Sequence, residues 1–276
     1  MFVINTIAEL TKTVDKVKAQ GKTVGLVPTM GALHEGHLSL IKRARKENDV
    51  VFVSIFVNPV QFNNQDDLRK YPRTLDRDVE FIGDYADYAF APSVEEIFPV
   101  QPSEKYDFGP VEKVMEGAAR PGHFNGVGII VRRLLEWTRP DKAYFGEKDY
   151  QQIAVIRELV LQCNIQSEIV PCPIVREPNG LAMSSRNRRL TPEQFEKAAN
   201  IHRILEESRK CVDVPQMKAF VEAEIAKIPE FQLDYFEIAD DKTLQTVHAL
   251  ADADGVMGFV TVYVGEVRLI DNIRYK

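Results

Sequence analysis

The eight residues Val50-Val51-Phe52-Val53-Ser54-Ile55-Phe56-Val57 constrain the fold more than any other stretch of the chain. Strand side chains alternate between faces, so a run that is apolar at both odd and even positions must be buried on both sides. Helices above and below a parallel sheet provide that environment. The run falls far short of the ~20 apolar residues that a membrane-spanning helix needs. A chain of 276 residues with 45% hydrophobic and 28% charged residues has enough apolar material to cover such a sheet in one large domain or two modest ones.

The neighbouring segments supply the helices. Thr23–Val27 is a β-branched run followed by the turn Pro28-Thr29-Met30-Gly31 and an amphipathic stretch from 37 to 47. A helix at 75–85 precedes a strand at 88–91, a helix at 127–137 precedes a strand at 143–145, and a helix at 150–163 leads into a strand at 166–170. This alternation predicts an α/β fold, a doubly wound Rossmann-like parallel sheet with right-handed crossovers, whose ligands bind at the carboxyl ends of the strands. The texture changes at Arg176-Glu177-Pro178-Asn179-Gly180, a turn signal, and the basic loop Arg186–Arg189. Thr191-Pro192-Glu193-Gln194 then starts a helix expected to run to Cys211, with Thr191 as N-cap and Gln194 closing a capping box. A helix at 215–228, a strand at 233–238 and a Gly-bounded pair at 256–264 and 267–270 predict a smaller α+β domain with antiparallel strands. The expected division is 1–174 for the nucleotide-binding sheet and 175–276 for the smaller domain.

Charge and cysteine content exclude several function classes. With 35 Lys+Arg against 41 Asp+Glu the net charge is -6, which argues against a broad surface for nucleic acid or anionic membrane, so any anion must bind locally. Cys163, Cys172 and Cys211 form no CxxC pair, which argues against a disulfide framework or structural zinc and fits a reducing cytoplasm. Met1–Thr6 has neither the basic start nor the apolar run of a targeting segment. A soluble cytoplasmic protein is expected.

Four segments carry chemistry. Pro28-Thr29-Met30-Gly31-Ala32-Leu33-His34-Glu35-Gly36-His37 follows a buried strand and opens a helix, where backbone N–H groups and the helix dipole favour phosphate, and two histidines three apart share a helical side. A zinc protease motif is excluded, because it spaces its histidines by four with Glu between them as base. Asn58-Pro59-Val60-Gln61 ends the buried strand with neutral amides, which recognise hydroxyl and carboxylate groups without adding charge. In Phe145-Gly146-Glu147-Lys148-Asp149-Tyr150-Gln151-Gln152 a cation suits phosphate and a carboxylate suits a ribose hydroxyl. Alone, that segment fits a capped helix start with a solvated ion pair equally well. Leu181-Ala182-Met183-Ser184-Ser185-Arg186-Asn187 offers two hydroxyls and a guanidinium to phosphate oxygens, or else is a basic linker.

Taken together, these segments resemble the pantoate–β-alanine ligase family, the pantothenate synthetases, of the class I synthetase-like nucleotidyltransferase superfamily. PTMGALHEGH is similar to that family's HIGH motif and MSSRN to its counterpart of KMSKS. SIFVNPVQF, KYPRT at Lys70–Thr74, RPGHFNGV at Arg120–Val127, FGEKDYQQ and RLIDN at Arg268–Asn272 also match. The resemblance runs in order along nearly the whole chain.

The resemblance implies an ATP-dependent condensation of D-pantoate with β-alanine through a pantoyl adenylate, giving pantothenate, AMP and pyrophosphate, with Mg²⁺ arriving on ATP and no dedicated metal site. It implies a homodimer. The catalytic set would be His34, His37, Lys148, Ser184, Ser185 and Arg186. ATP would be contacted by these together with Met30, Gly31, Ala32, Leu33, Glu35, Gly36, Gly146, Glu147, Asp149, Val175 and Met183. Pantoate would meet Met30, Gln61 and Gln152, and β-alanine would meet Gln61. His37 is the family's proton donor, with charge stabilisation an equal alternative. Residues 184–186 follow the nucleotide sheet in the chain, so the smaller domain is expected to act as a lid. Two alternatives are a nucleotidyltransferase of the same fold acting on a phosphorylated cofactor precursor and a non-catalytic nucleotide-binding protein. The first would need basic residues where Asn58, Gln61 and Gln152 present amides.

Overall fold

The computed structural model describes residues Met1–Lys276, which form two compact units. The first comprises Met1–Phe108, Arg120–Glu147 and Gln152–Pro173, and the second comprises Gly109–Ala119, Lys148–Gln151 and Ile174–Lys276. Two short segments on the amino-terminal side of residue 174, Gly109–Ala119 and Lys148–Gln151, thus pack in the second unit rather than with the nucleotide sheet where they were expected.

The first unit is built on strands β1 (Phe2–Ile4), β2 (Val24–Thr29), β3 (Val50–Ile55), β4 (Tyr88–Phe90), β5 (Lys142–Gly146) and β6 (Glu168–Cys172). They lie in the order β1-β4-β3-β2-β5-β6, all parallel. Residues Val50–Ser54 of β3 are buried without a break, as a run apolar on both faces requires. Val51, Phe52 and Val53 are completely inaccessible, and burying each apolar side chain of this kind contributes about 1.5–3 kcal/mol. Ile41 and Ala44 of the helix Glu35–Glu47 pack with Val27, Val51 and Val53. The order of the strands reverses direction between the neighbours β2 and β5, and the carboxyl ends at that switch are where a sheet of this kind leaves a crevice. Among the elements without a counterpart in the sequence patterns are the edge strand β1 and the helix Ile7–Ala19, which is capped by Thr6.

In the second unit the antiparallel strands β7 (Phe231–Asp240), β8 (Val256–Val264) and β9 (Val267–Arg274) form a sheet in that order. Its core includes Ile201, Leu205, Val221, Ile225, Val260 and Val262, drawn from the sheet and from the helices Asn200–Ser208 and Val214–Ala226. The capping box forms, with Thr191 Oγ1 accepting from Gln194 N–H at 3.2 Å and Gln194 Oε1 from Thr191 N–H at 3.1 Å. The single helix expected from 192 to 211 is instead two, Pro192–Ala198 and Asn200–Ser208. Asn200 Nδ2 donates to the Lys197 carbonyl at 2.8 Å and competes with the helical ladder at the break.

Buried charge anchors the stray segments of this unit. Arg268 on β9 donates from both terminal nitrogens to Glu116, at 2.8 and 2.7 Å, and also to Asp234. Tyr235 Oη donates to the same Glu116 carboxylate at 2.7 Å, and burial followed by that negative neighbour pushes the phenol above its ordinary pKa. Gln151 Oε1 accepts from Glu116 N–H at 3.0 Å, while its Nε2 donates to the carbonyls of Val111 and Val114, each at 2.8 Å. Gln151 is therefore a structural amide, whereas its neighbour Gln152 belongs to the first unit and is half-buried.

Candidate active site

At the carboxyl end of β2 the chain turns sharply. Thr29 Oγ1 donates to the Ser54 carbonyl at 2.6 Å, tying the end of β2 to β3, and accepts from Gly31 N–H at 3.2 Å. Gly31 has φ +81° and Ala32 has φ +52°, and a side chain on Gly31 would press on Asp78 Oδ2, 3.0 Å from its Cβ. Asp78 is almost fully buried, and its carboxylate accepts from Ala32 N–H at 2.9 Å, Leu33 N–H at 2.8 Å and Thr74 Oγ1 at 3.1 Å. These bonds hold the left-handed turn open against its own strain. Asp78 was not among the expected site residues. Its only sequence signal is a place four residues after Thr74 of KYPRT, where an acidic residue in a first helical turn is unremarkable.

His34 is the N-cap of the helix Glu35–Glu47. Its Nδ1 accepts from Gly36 N–H at 3.1 Å, and His37 Nδ1 accepts from His34 N–H at 3.4 Å. The two rings lie 4.1 Å apart between centroids. Two orphan N–H groups of the helix start are thus taken by the imidazoles themselves. With both Nδ1 atoms acting as acceptors, each neutral ring carries its proton on Nε2, the tautomer that donates to an anion.

The neutral amides gather at the end of β3. Asn58 is buried; its Nδ2 donates to Gln61 Oε1 at 2.9 Å and to the Gly126 carbonyl at 3.0 Å. Gln61 so oriented places Nε2 3.3 Å from Met30 Sδ, bringing together two of the residues expected at pantoate. His123 Nδ1 lies 2.8 Å from the Gln61 carbonyl. Gly126 allows the helix His123–Thr138 to approach this turn, because a Cβ there would lie 2.6 Å from Val60 O and 2.7 Å from Gln61 Cα. The GHFNG segment thus supports Gln61 from behind. Gly146 closes β5, and Glu147 follows it in the first unit.

The remaining expected residues lie in the second unit. Lys148 Nζ stands 3.7 Å from Asp149 Oδ2, with the lysine side chain 17% exposed and the carboxylate half-exposed. The Lys148 carbonyl accepts from Asn272 Nδ2 at 3.2 Å. Val175 and Met183 face each other across a short hairpin, Met183 N–H donating to Val175 O at 3.0 Å. Ser184 caps the turn Ser185–Arg189 by accepting from Arg186 N–H at 3.3 Å, which makes one of the two expected hydroxyls a structural acceptor. Ser185 is buried and Arg186 half-buried. No group of three or more His, Cys, Asp and Glu side chains is arranged to hold a metal ion, and no helix is long and apolar enough to cross a membrane.

The first unit carries the paired imidazoles and the neutral amides, and the second carries Lys148 and Arg186. Comparison with known proteins identifies the family. The family model described as pantoate-beta-alanine ligase matches residues 2–274. The chain is 54% identical over 280 residues to a pantothenate synthetase of Bacteroides thetaiotaomicron, covering 100% of this chain and 99% of the relative. It is 50% identical to that of Porphyromonas gingivalis, over 100% of both chains. Among solved structures, pantothenate synthetase from Thermus thermophilus superposes with a TM-score of 0.93 at 41% identity, covering 100% of this chain and 99% of that one. The Francisella tularensis pantoate-beta-alanine ligase complexed with beta-gamma ATP and beta-alanine superposes with a TM-score of 0.82 at 36% identity, covering 100% and 98%.

Proposed function

The chain belongs to the pantoate-beta-alanine ligase family, and from that premise we propose how its own residues carry the reaction. The enzyme condenses pantoate with β-alanine using ATP. A pantoate carboxylate oxygen attacks the α-phosphorus, the bond from that phosphorus to the bridging oxygen breaks, and pyrophosphate leaves. The β-alanine amine then attacks the acyl carbon of the adenylate, loses a proton and displaces AMP. Mg²⁺ enters as the ATP complex and neutralises phosphate charge.

Because no protein nucleophile takes part, rate comes from holding carboxylate and phosphorus in line and from stabilising the charge that develops on the phosphate oxygens. We assign that stabilisation to the Nε2–H groups of His34 and His37, to Lys148, and to Ser184, Ser185 and Arg186. The nucleotide further meets Met30–Leu33, Glu35, Gly36, Gly146, Glu147, Asp149, Val175 and Met183. Pantoate is held by Gln61, Gln152 and Met30, and β-alanine by Gln61. The observation that carries this reading is the pair of imidazoles capping the helix after β2, with the Gln61 amide set against Met30 beside the same strand end.

Exchange of labelled pyrophosphate into ATP tests it. Pantoate and ATP alone should support exchange, since the adenylate forms before the amine enters; exchange that requires β-alanine would overturn the two-step assignment. We also propose a cytoplasmic homodimer, in keeping with three unbridged cysteines, and sedimentation velocity at micromolar concentration reads the oligomeric state.

A further inference from the structure

We infer that Asp271 and Asn272, neighbours on β9, are positioning residues that hold Lys148 and the loop Ser184–Arg186 in one frame. This rests on the assignment of those cations to the phosphates of ATP.

Two buried side chains, next to each other on one strand, reach two segments far apart in the chain. Asp271 receives both terminal nitrogens of Arg176, at 2.6 and 3.0 Å. Asn272 donates through Nδ2 to the Lys148 carbonyl at 3.2 Å, and its own N–H donates to Asp271 Oδ1 at 2.8 Å. Asp271 and Asn272 are 4% and 6% exposed. A carboxylate–guanidinium pair this deep loses much of its attraction to desolvation, and packed apolar residues would often serve stability as well. What the pair supplies beyond stability is direction, because a bidentate Arg–carboxylate contact fixes both partners in a plane.

From Arg176 the connection runs on to the loop. Arg176 also donates to the Gly180 carbonyl at 3.2 Å and pairs with Ala182 across the hairpin. The Ala182 carbonyl accepts from Asn187 Nδ2 at 3.1 Å, and the same Nδ2 reaches Glu177 Oε1 at 3.3 Å. Asn187 lies one residue beyond Arg186, inside the turn that Ser184 caps. On the other side, Lys148 opens the segment Lys148–Gln151, whose end Gln151 ties to Glu116 and whose Tyr150 Oη donates to the Asp241 carbonyl at 3.0 Å. Asn272 fixes the beginning of that segment. One dipeptide thus sets the backbone of one phosphate-binding cation and, through Arg176, the hairpin that carries the other.

Single-turnover formation of pantoyl adenylate tests this in Asn272→Asp, Asn272→Ser, Lys148→Ala and the double variant Asn272→Ser/Lys148→Ala, with calorimetric binding of pantoate alongside. The Asp variant keeps the shape and cannot donate to the Lys148 carbonyl; should it fail to fold, the Ser variant carries the measurement. Both Asn272 variants are expected to slow adenylate formation about ten- to a hundredfold, the scale of a small misplacement of reacting groups, with pantoate affinity unchanged. The double variant should be no slower than Lys148→Ala. Normal rates in the Asn272 variants beside a slow Lys148→Ala, or losses that multiply in the double variant, would overturn the positioning role alone. A normal rate in Lys148→Ala would overturn the assignment of Lys148 on which it rests.

Discussion

His37 closes the helix start over His34, its Nδ1 accepting the His34 backbone N–H from 3.4 Å while the two ring centroids lie 4.1 Å apart with their planes tilted by 44°. A residue engaged in this way serves the helix and the chemistry at once, and substitution can separate the two. Glutamine at the same N3 position restores a capping bond but has no imidazole. His37→Gln should keep the melting temperature close to the parent and lower the rate of adenylate formation about 10²–10³-fold. His37→Ala should lose the rate and in addition about 1 kcal/mol of stability. Thermal melts beside rapid-quench measurements decide it, and equal stability loss in both variants would remove the capping role.

Gln152→Ala should weaken pantoate more than ATP, by about 1–3 kcal/mol, because the lost amide leaves a polar group of the substrate without its partner. Gln61→Ala should cost pantoate binding too, and protein stability besides, since the buried Asn58 amide loses the acceptor it reaches at 2.9 Å. Calorimetry with each ligand is the measurement. Equal losses for ATP and pantoate in Gln152→Ala would count against the assignment.

Arg186→Ala should depress adenylate formation by roughly a hundredfold, as does loss of one preorganised charge stabiliser, with little change in pantoate affinity. Lys148→Ala should behave alike. Because both serve one developing charge, the double variant should be less impaired than the product of the single losses. Fully multiplicative effects would mean that the two cations act on different steps.

Among the groups that make stability depend on pH, Glu47 and His202 act in the same sense. Hydrogen bonds from Arg43 above all, then from Lys142 and Tyr144, hold the Glu47 carboxyl down to about 2 from 4.5. Burial, reinforced by the Arg176 charge, lowers His202 from 6.5. In each case the unfolded chain takes up the proton first, so stability is present above the ordinary pKa and is lost as pH falls through the native one. Urea midpoints should fall on acidification just below pH 6.5, and more steeply between pH 4.5 and about 2. His202→Gln should flatten the first window and Glu47→Gln the second; an unchanged slope in either variant would show that other groups carry that window.

Which parts of this molecule could be seen in its sequence follows from the range of the interactions that make them. β3 announces itself because a run of eight residues, seven of them apolar, leaves no other environment, and the Thr191 capping box because its partners are three residues apart. His34, His37 and Gln61 could be picked out because strand, turn and polar residue are consecutive. The packing of Glu116 with β9 could not, since it depends on an ion pair with Arg268, 152 residues away. Asp78 stayed hidden for a related reason: its importance lies in three donors, two of which belong to a turn some 45 residues earlier. The helix Ile7–Ala19, with three lysines and two acidic residues between its apolar positions and only Leu10, Val14 and Val17 buried, has too thin an apolar stripe to stand out.

The chain passes from one compact unit to the other at 108/109, 119/120, 147/148, 151/152 and 173/174. No single cut therefore yields two self-sufficient halves. A fragment ending at residue 173 would keep Glu116 and lose Arg268, leaving a carboxylate built for burial without its counter-charge, while the complementary fragment would strand the guanidinium. Swapping the carboxy-terminal half between homologues is on this account an exchange of three interleaved pieces, and a chimera joined only at residue 174 inherits one parent's Glu116 and Gln151 against the other parent's sheet.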